Sequence, residues 1–156
     1  QLGSNTNSTA FQVKNQSGAV IHQVSGNGQS IFKGSVFNKT SNPTISIDNN
    51  VVYTAAQIIN GLIVRTSMTL DRTDTFPAAA FLVAAIYECA VDTSFMLNIS
   101  NTTDNILTFV AGSGCTINGV DLTIGPEVTM IAHVRITNVT PTTEAYTVQI
   151  LGRFGI

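Results

Sequence analysis

Arg65, Asp71, Arg72 and Asp74 form the charge-dense stretch of this sequence. Two kinds of chemistry fit these residue types. Facing solvent, they could make polar contacts to a receptor or a glycan. Turned on one another, they form ion pairs, because a guanidinium fork matches a carboxylate bidentately. Asp74 stands just before Pro77 and the apolar run Phe76–Tyr87. The favoured reading is therefore a polar network that fixes the lead-in to a helix.

The other chemistry-bearing residues do not assemble by spacing. His22 and His133 lie in strand-like runs without Cys, Asp or Glu at ligand distance, and read as surface or interface histidines. "AGSGC", residues 111–115, lacks the G-x-S-x-G spacing of a nucleophile elbow and reads as a tight turn. Asp92, Asp104 and Asp121 fall in separate turns with no calcium-loop spacing. No CxxC or Cys/His cluster suggests zinc. Cys89 and Cys115 fit either a disulfide, worth about 3 kcal/mol, or two buried thiols, since spacing alone does not place the sulfurs. Sequons put candidate glycan acceptors at Asn7, Asn15, Asn38, Asn98, Asn101 and Asn138. The expectation is a protein without catalytic residues, metal or cofactor.

Composition narrows the partners. Of 156 residues, 10% are charged and 44% hydrophobic, against roughly 25% charged in ordinary soluble domains. Polarity comes instead from Thr, Ser, Asn and Gln. Such a surface repels its own copies weakly and tolerates close packing. A net charge of −2 without a basic run argues against nucleic acid. The run Phe76–Tyr87 is about half the roughly 20 residues of a membrane helix, so membrane insertion is not expected.

The elements that must position these residues are mostly strands. Residues 1–10, "QLGSNTNSTA", have linker composition, with Gly3-Ser4 in the form of a tag remnant, and are expected to be a flexible arm. Residues 11–156 are expected to form one domain. In "SFMLNIS", Phe95, Leu97 and Ile99 share a face; in "VTMIAHVRI", Val128, Met130, Ala132, Val134 and Ile136 do; in "AYTVQI", Tyr146, Val148 and Ile150 do. A period of two marks strands with one buried face. Short strands with regular turn signals predict an all-β fold, an antiparallel β-sandwich of jelly-roll type.

"RTDTFPAAAFLVAAI", residues 72–86, departs from this pattern. It predicts one short buried helix near residues 75–87, with Pro77 in its first turn, Asp74 or Thr75 as cap, and Ala78, Phe81, Leu82, Ala85 and Ile86 at helical spacing. Thr54 as cap and Gly61 as stop suggest a second helical turn between them. In "SIFKGSVF", Ile31 and Phe37 fall on one face, Phe32 and Val36 on the other. A strand apolar on both sides needs two covering layers, and these four residues are expected to meet another subunit.

Taken in order, "AAQIINGLIVRT", "RTDTFPAAAFLVAAI", "SFMLNISNTTDNILTFVAGSGCTINGV" and "VRITNVTPTTEAYTVQILG" resemble a C-terminal module of virion-surface proteins of large DNA viruses and phages. The resemblance spans roughly residues 53–152. It implies a non-enzymatic structural component of the virion: a fibre head, spike or capsid decoration protein. Its expected partners are itself, as a homotrimer, and other virion proteins. The alternative is a carbohydrate- or receptor-binding module whose partner is a host surface glycan. The resemblance carries over no active-site residue.

Overall fold

The structure, a computed structural model, describes residues 9–14, 17, 20–25, 30–32, 44–86 and 89–155. The chain divides into two compact units, Gln1–Thr40 and Ser41–Ile156, where the sequence suggested one domain over 11–156. Of the expected flexible arm, residues 1–8 lie outside the described residues, and Thr9 and Ala10 begin the first strand.

The first unit holds β1 (Thr9–Lys14), β2 (Val20–Ser25) and β3 (Ser30–Phe32), paired antiparallel in the order β1-β2-β3. Of the expected interface residues, Ile31 and Phe32 belong to β3 by backbone. Their side chains, and Val36 and Phe37 altogether, lie outside the described residues.

The second unit comprises β4 (Thr44–Ile45), α1 (Ala55–Ile59), β5 (Leu62–Arg65), β6 (Arg72–Thr75), α2 (Ala79–Ala85), β7 (Ser94–Asn101), β8 (Leu107–Val110), β9 (Cys115–Asn118), β10 (Thr123–Ile124), β11 (Val128–Asn138) and β12 (Ala145–Gly155). They build a six-stranded sheet, β4-β5-β7-β11-β12-β9, and a three-stranded one, β10-β8-β6. The fold is all-β in class, with 46% strand and 11% helix.

The pairing is mixed, which corrects the expectation of an antiparallel arrangement. β7, β11 and β12 pair antiparallel, as do β8 and β10. β5 runs parallel to β4 and β7, β9 to β12, and β6 to β8. Parallel neighbours need a crossover, and the chain supplies one each time. Between β5 and β7 it makes β6 and α2; between β6 and β8 it makes α2 and β7.

The period-two strands behave as read. Met130, Ala132, Val134 and Ile136 of β11, Tyr146 and Val148 of β12, and Leu97 and Ile99 of β7 are fully buried. Their register keeps them on one face: Leu97 and Ile150 flank Ala132, and Ile99 lies beside Met130. Leu107 and Phe109 of β8 and Ile124 of β10 join the same core cluster, so the two sheets share one core.

α1 forms as expected. Thr54 accepts a hydrogen bond from the Gln57 N–H, the Gln57 side chain answers to the Thr54 N–H, and Gly61, at φ +78°, ends the turn. α2 differs from its expectation. Asp74 and Thr75 belong to β6, and Pro77 precedes the helix instead of opening it. The cap is Ala78, with no side-chain bond. The reason is the sheet: Phe76 N–H donates to Val110 O and holds the chain extended past β6, and Ser113 O then receives the Ala79 N–H. This later start rotates the buried stripe. Ala79 and Leu82 point into the core, while Phe81 is 70% exposed.

Leu82→Ala should therefore lower unfolding free energy by about 2–5 kcal/mol. Phe81→Ala, on the exposed side of the same helix, should change it by about 0.5 kcal/mol or less. Urea denaturation of both variants checks this, and equal losses would contradict the observed helix face.

Candidate functional site

The charge-dense stretch folds into two clusters and a clamp. β5 ends with Arg65 on the inner face, in register with Ile45 and Asn101. β6 carries Asp74 beside Phe109, also facing inward. The two sheets thus bring these charges together with neither side chain exposed. Arg65 Nε lies 3.0 Å from Asp74 Oδ2, off the line of a hydrogen bond, so charge rather than N–H alignment makes this contact. The other guanidinium nitrogens donate to Ile47 O at 2.9 Å and Asn49 O at 2.8 Å. Asp74 accepts from Val51 N–H at 2.9 Å and Tyr53 O–H at 2.8 Å. The ion pair therefore fastens the whole segment 47–53.

Burial pushes the Asp74 carboxyl above the usual carboxylate range, against the opposing pull of the Tyr53 hydroxyl, the Arg65 charge and the Val51 N–H. The Tyr53 phenol is pushed well above its ordinary value, first by burial and then by the Asp74 charge.

Arg72, at the half-buried start of β6, has a different partner. It donates to Asp48 Oδ1 through two nitrogens, at 3.0 and 2.7 Å. Asp48 also accepts from the Thr69 N–H and hydroxyl, and these bonds with Arg72 hold its carboxyl at about 2. Asp71 receives the Ile106 N–H at 2.8 Å. The expected single network over Arg65, Asp71, Arg72 and Asp74 is thus corrected to three separate tasks. None of them caps α2, whose N-cap is Ala78 with no side-chain bond, because Asp74 lies within β6. Asp48 and Tyr53 were missed, and no local spacing pointed to Asp48, 24 residues from Arg72.

The remaining candidates are placed as follows. Asn101 is buried; its amide donates to Asn105 O at 2.7 Å and Gly125 O at 2.9 Å, and its carbonyl holds the Thr103 N–H and hydroxyl. This sequon is a structural turn. The amides of Asn98 and Asn138 donate to Gly61 O and Thr143 O. Asn7, Asn15 and Asn38 lie outside the described residues, as does the side chain of His22. His133 is half-buried on β11, and Asp92 pairs with Arg135. Cys89 and Cys115 are free and half-buried, and burial pushes the Cys115 thiol up. Ser113 sits in a turn whose Gly114 has φ +73°. A Cβ on Gly112 would strike the backbone of Phe76 and Pro77, so this turn is glycine-rich for closeness to the start of α2. Among the described residues, no three or more His, Cys, Asp or Glu converge to hold a metal ion.

Among the described residues, two hollows are candidate sites. The first is a cleft of about 560 Å³ lined by Val52, Ala55, Phe76, Pro77, Phe81 and neighbours. Its floor is the edge-to-face pair Tyr53–Phe76, with ring centroids 5.7 Å apart. The Tyr53 hydroxyl is turned away to Asp74, so the cleft offers apolar contact and no proton donor from that ring. The second, of about 400 Å³, is polar, lined by Asp48, Thr66, Ser67, Thr69, Thr102 and Asp104 among others. Hydroxyls and carboxylates of this kind suit a polyhydroxylated ligand. No family model, curated protein or solved structure matches the chain.

Arg65→Ala leaves Asp74 buried without its charge partner and should cost about 3–5 kcal/mol. The double variant Arg65→Met with Asp74→Leu should be more stable than Arg65→Ala, because no unpaired charge remains. Denaturant unfolding of the two measures the difference, and a double variant as unstable as the single would count against a charge-desolvation origin.

The tyrosines set an alkaline limit. Folded Tyr53 and Tyr146 both hold their protons beyond the ordinary 10.0, chiefly through burial. Unfolded tyrosine releases its proton near that value. The stability these hydroxyls confer is full below about pH 10 and is lost as pH rises above it. The denaturation midpoint should fall above pH 10, and less steeply in a Tyr53→Phe variant.

Proposed function

We propose that this chain is a non-enzymatic structural component of a virion, a fibre head, spike or capsid decoration protein that acts by assembling with its own copies and with other virion proteins. The observation that carries this reading is the use of the charges: Arg65, Asp74 and Arg72 are bound up in holding the scaffold, and the adjoining cleft is apolar. Such a surface suits burial of a neighbour's apolar group. The low charged fraction of 10% supports close packing of copies, and the ordered resemblance of residues 53–152 to virion-surface modules supports the setting. The accompanying fold reading is a β-sandwich, supported by the core that the two sheets share; the parallel pairings weigh against a pure jelly roll.

One observation favours a second reading. The polar hollow at Asp48 and Asp104 groups hydroxyls and carboxylates as a glycan-binding module would. The reading is a carbohydrate- or receptor-binding role at the virion surface.

Light scattering on the purified chain should give three times the chain mass. A monomer at micromolar concentration would remove the assembly reading. A glycan array separates the two readings: a discrete hit abolished by Asp104→Ala favours attachment, and silence favours decoration.

A further inference from the structure

We infer that the polar hollow at Asp48 and Asp104 binds an uncharged saccharide and turns away sialylated or sulfated ones, an inference that rests on the attachment reading. Topology places the hollow. β4, β5 and β7 are neighbours in the sheet and run parallel to one another. The segments that leave their C-terminal ends therefore emerge side by side. The segment after β4 carries Asp48, the one after β5 carries Thr66, Ser67 and Thr69, and the one after β7 carries Thr102 and Asp104. All three line the hollow. Loops at the carboxyl ends of parallel strands form the ligand crevice of open α/β sheets, and the same geometry holds here on a smaller scale.

The three segments are braced against one another. Thr102 donates its N–H and its hydroxyl to Arg65 O, at 3.0 and 2.9 Å. The Asn105 amide donates to Met68 O at 2.6 Å, and the Thr69 N–H to Asp48 Oδ1 at 3.0 Å. Arg65 holds the segment after β4 through Ile47 O and Asn49 O. A hollow fixed in this way loses little conformational freedom when a ligand enters. The bracing leaves some groups unused. The Thr66 and Ser67 hydroxyls and the Asp104 carboxylate have no hydrogen-bond partner among the described residues.

Those groups define the ligand. A carboxylate accepts two hydroxyl protons from adjacent carbons of a sugar ring, and the Thr and Ser hydroxyls both donate and accept. Charge sets the rest. Among the described residues, the lining holds no Lys or Arg. Arg72, the nearest cation to Asp48, is engaged by its Oδ1 at 3.0 and 2.7 Å. Asp48 is thereby neutralised, and Asp104 is the charge that the hollow presents. The carboxylate or sulfate of an acidic glycan would meet Asp104 with no counter-charge, and such like-charge contact discriminates against a wrong ligand. The volume of about 400 Å³ lies near the lower end of small-molecule sites, roughly 300–1,000 Å³, and suits a short saccharide.

The test is a glycan array read with the full chain, in which each uncharged glycan stands beside its sialylated and sulfated forms. Hits are expected among the uncharged forms, each weakened by roughly tenfold or more when the acidic group is added. Asp104→Ala should weaken the hits by roughly tenfold. Asp104→Asn removes the charge and keeps an acceptor, so it should narrow the gap between uncharged and acidic forms. Glu144→Ala, beyond the end of β12 that lies away from Asn101, should change neither. Asp104 is exposed, so its variants should fold, and circular dichroism checks this. Hits that favour the acidic forms, or that ignore both Asp104 variants, overturn this inference and spare the attachment reading. A silent array overturns both.

Discussion

The second unit depends on one buried ion pair. Arg65 comes from the six-stranded sheet and Asp74 from the three-stranded one, and both are fully excluded from water. Burying two charges costs several kcal/mol each, and attraction offsets that only when other hydrogen bonds are satisfied. Here the extra bonds come from Ile47 O, Asn49 O, Val51 N–H and Tyr53 O–H. The pair is therefore stable only when both sheets and the segment between β4 and α1 are in place together. These bonds tie the two sheets and that segment to one another.

Around that pair, four short strings of the sequence turn out to be structural devices. "RTDT" is β6, which alternates an inward Asp74 with outward threonines. "NTTD" is a turn closed by the buried Asn101 amide, which also reaches Gly125 O before β11. "AGSG" brings backbone against Phe76 and Pro77 where a larger residue would clash. "TNVT" joins β11 to β12 through Asn138 and the Thr140 N–H. Each string meets a backbone demand of this fold.

The same economy shapes the surface. Few charges are present, and those at Arg65, Arg72, Asp48 and Asp74 are engaged in holding loops. Arg153 and Asp121 fasten β10 to β12 in the same manner.

Much of the fold was legible because it is local. Alternation over β7, β11 and β12 identified the buried face of each, since side chains along a strand project with a period of two. The capping box at Thr54 and the stop at Gly61 are likewise set by residues within one turn. The site was legible only in its membership. Arg65 and Asp74 stood out by charge, but their pairing was hidden, as were the partners Asp48 and Tyr53. Such contacts join residues far apart in sequence, and only the alignment of two sheets brings them together. The start of α2 failed for the same reason: Pro77 and Asp74 look like helix signals locally, yet the Phe76–Val110 bond keeps the chain extended for another turn. By itself the sequence determined that β7, β11 and β12 become strands and which side of each is buried, because alternation depends on neighbours in the chain. The tertiary structure alone decided strand direction, charge partners and the exposed side of α2, because those are set by hydrogen bonds between segments that the chain does not place side by side.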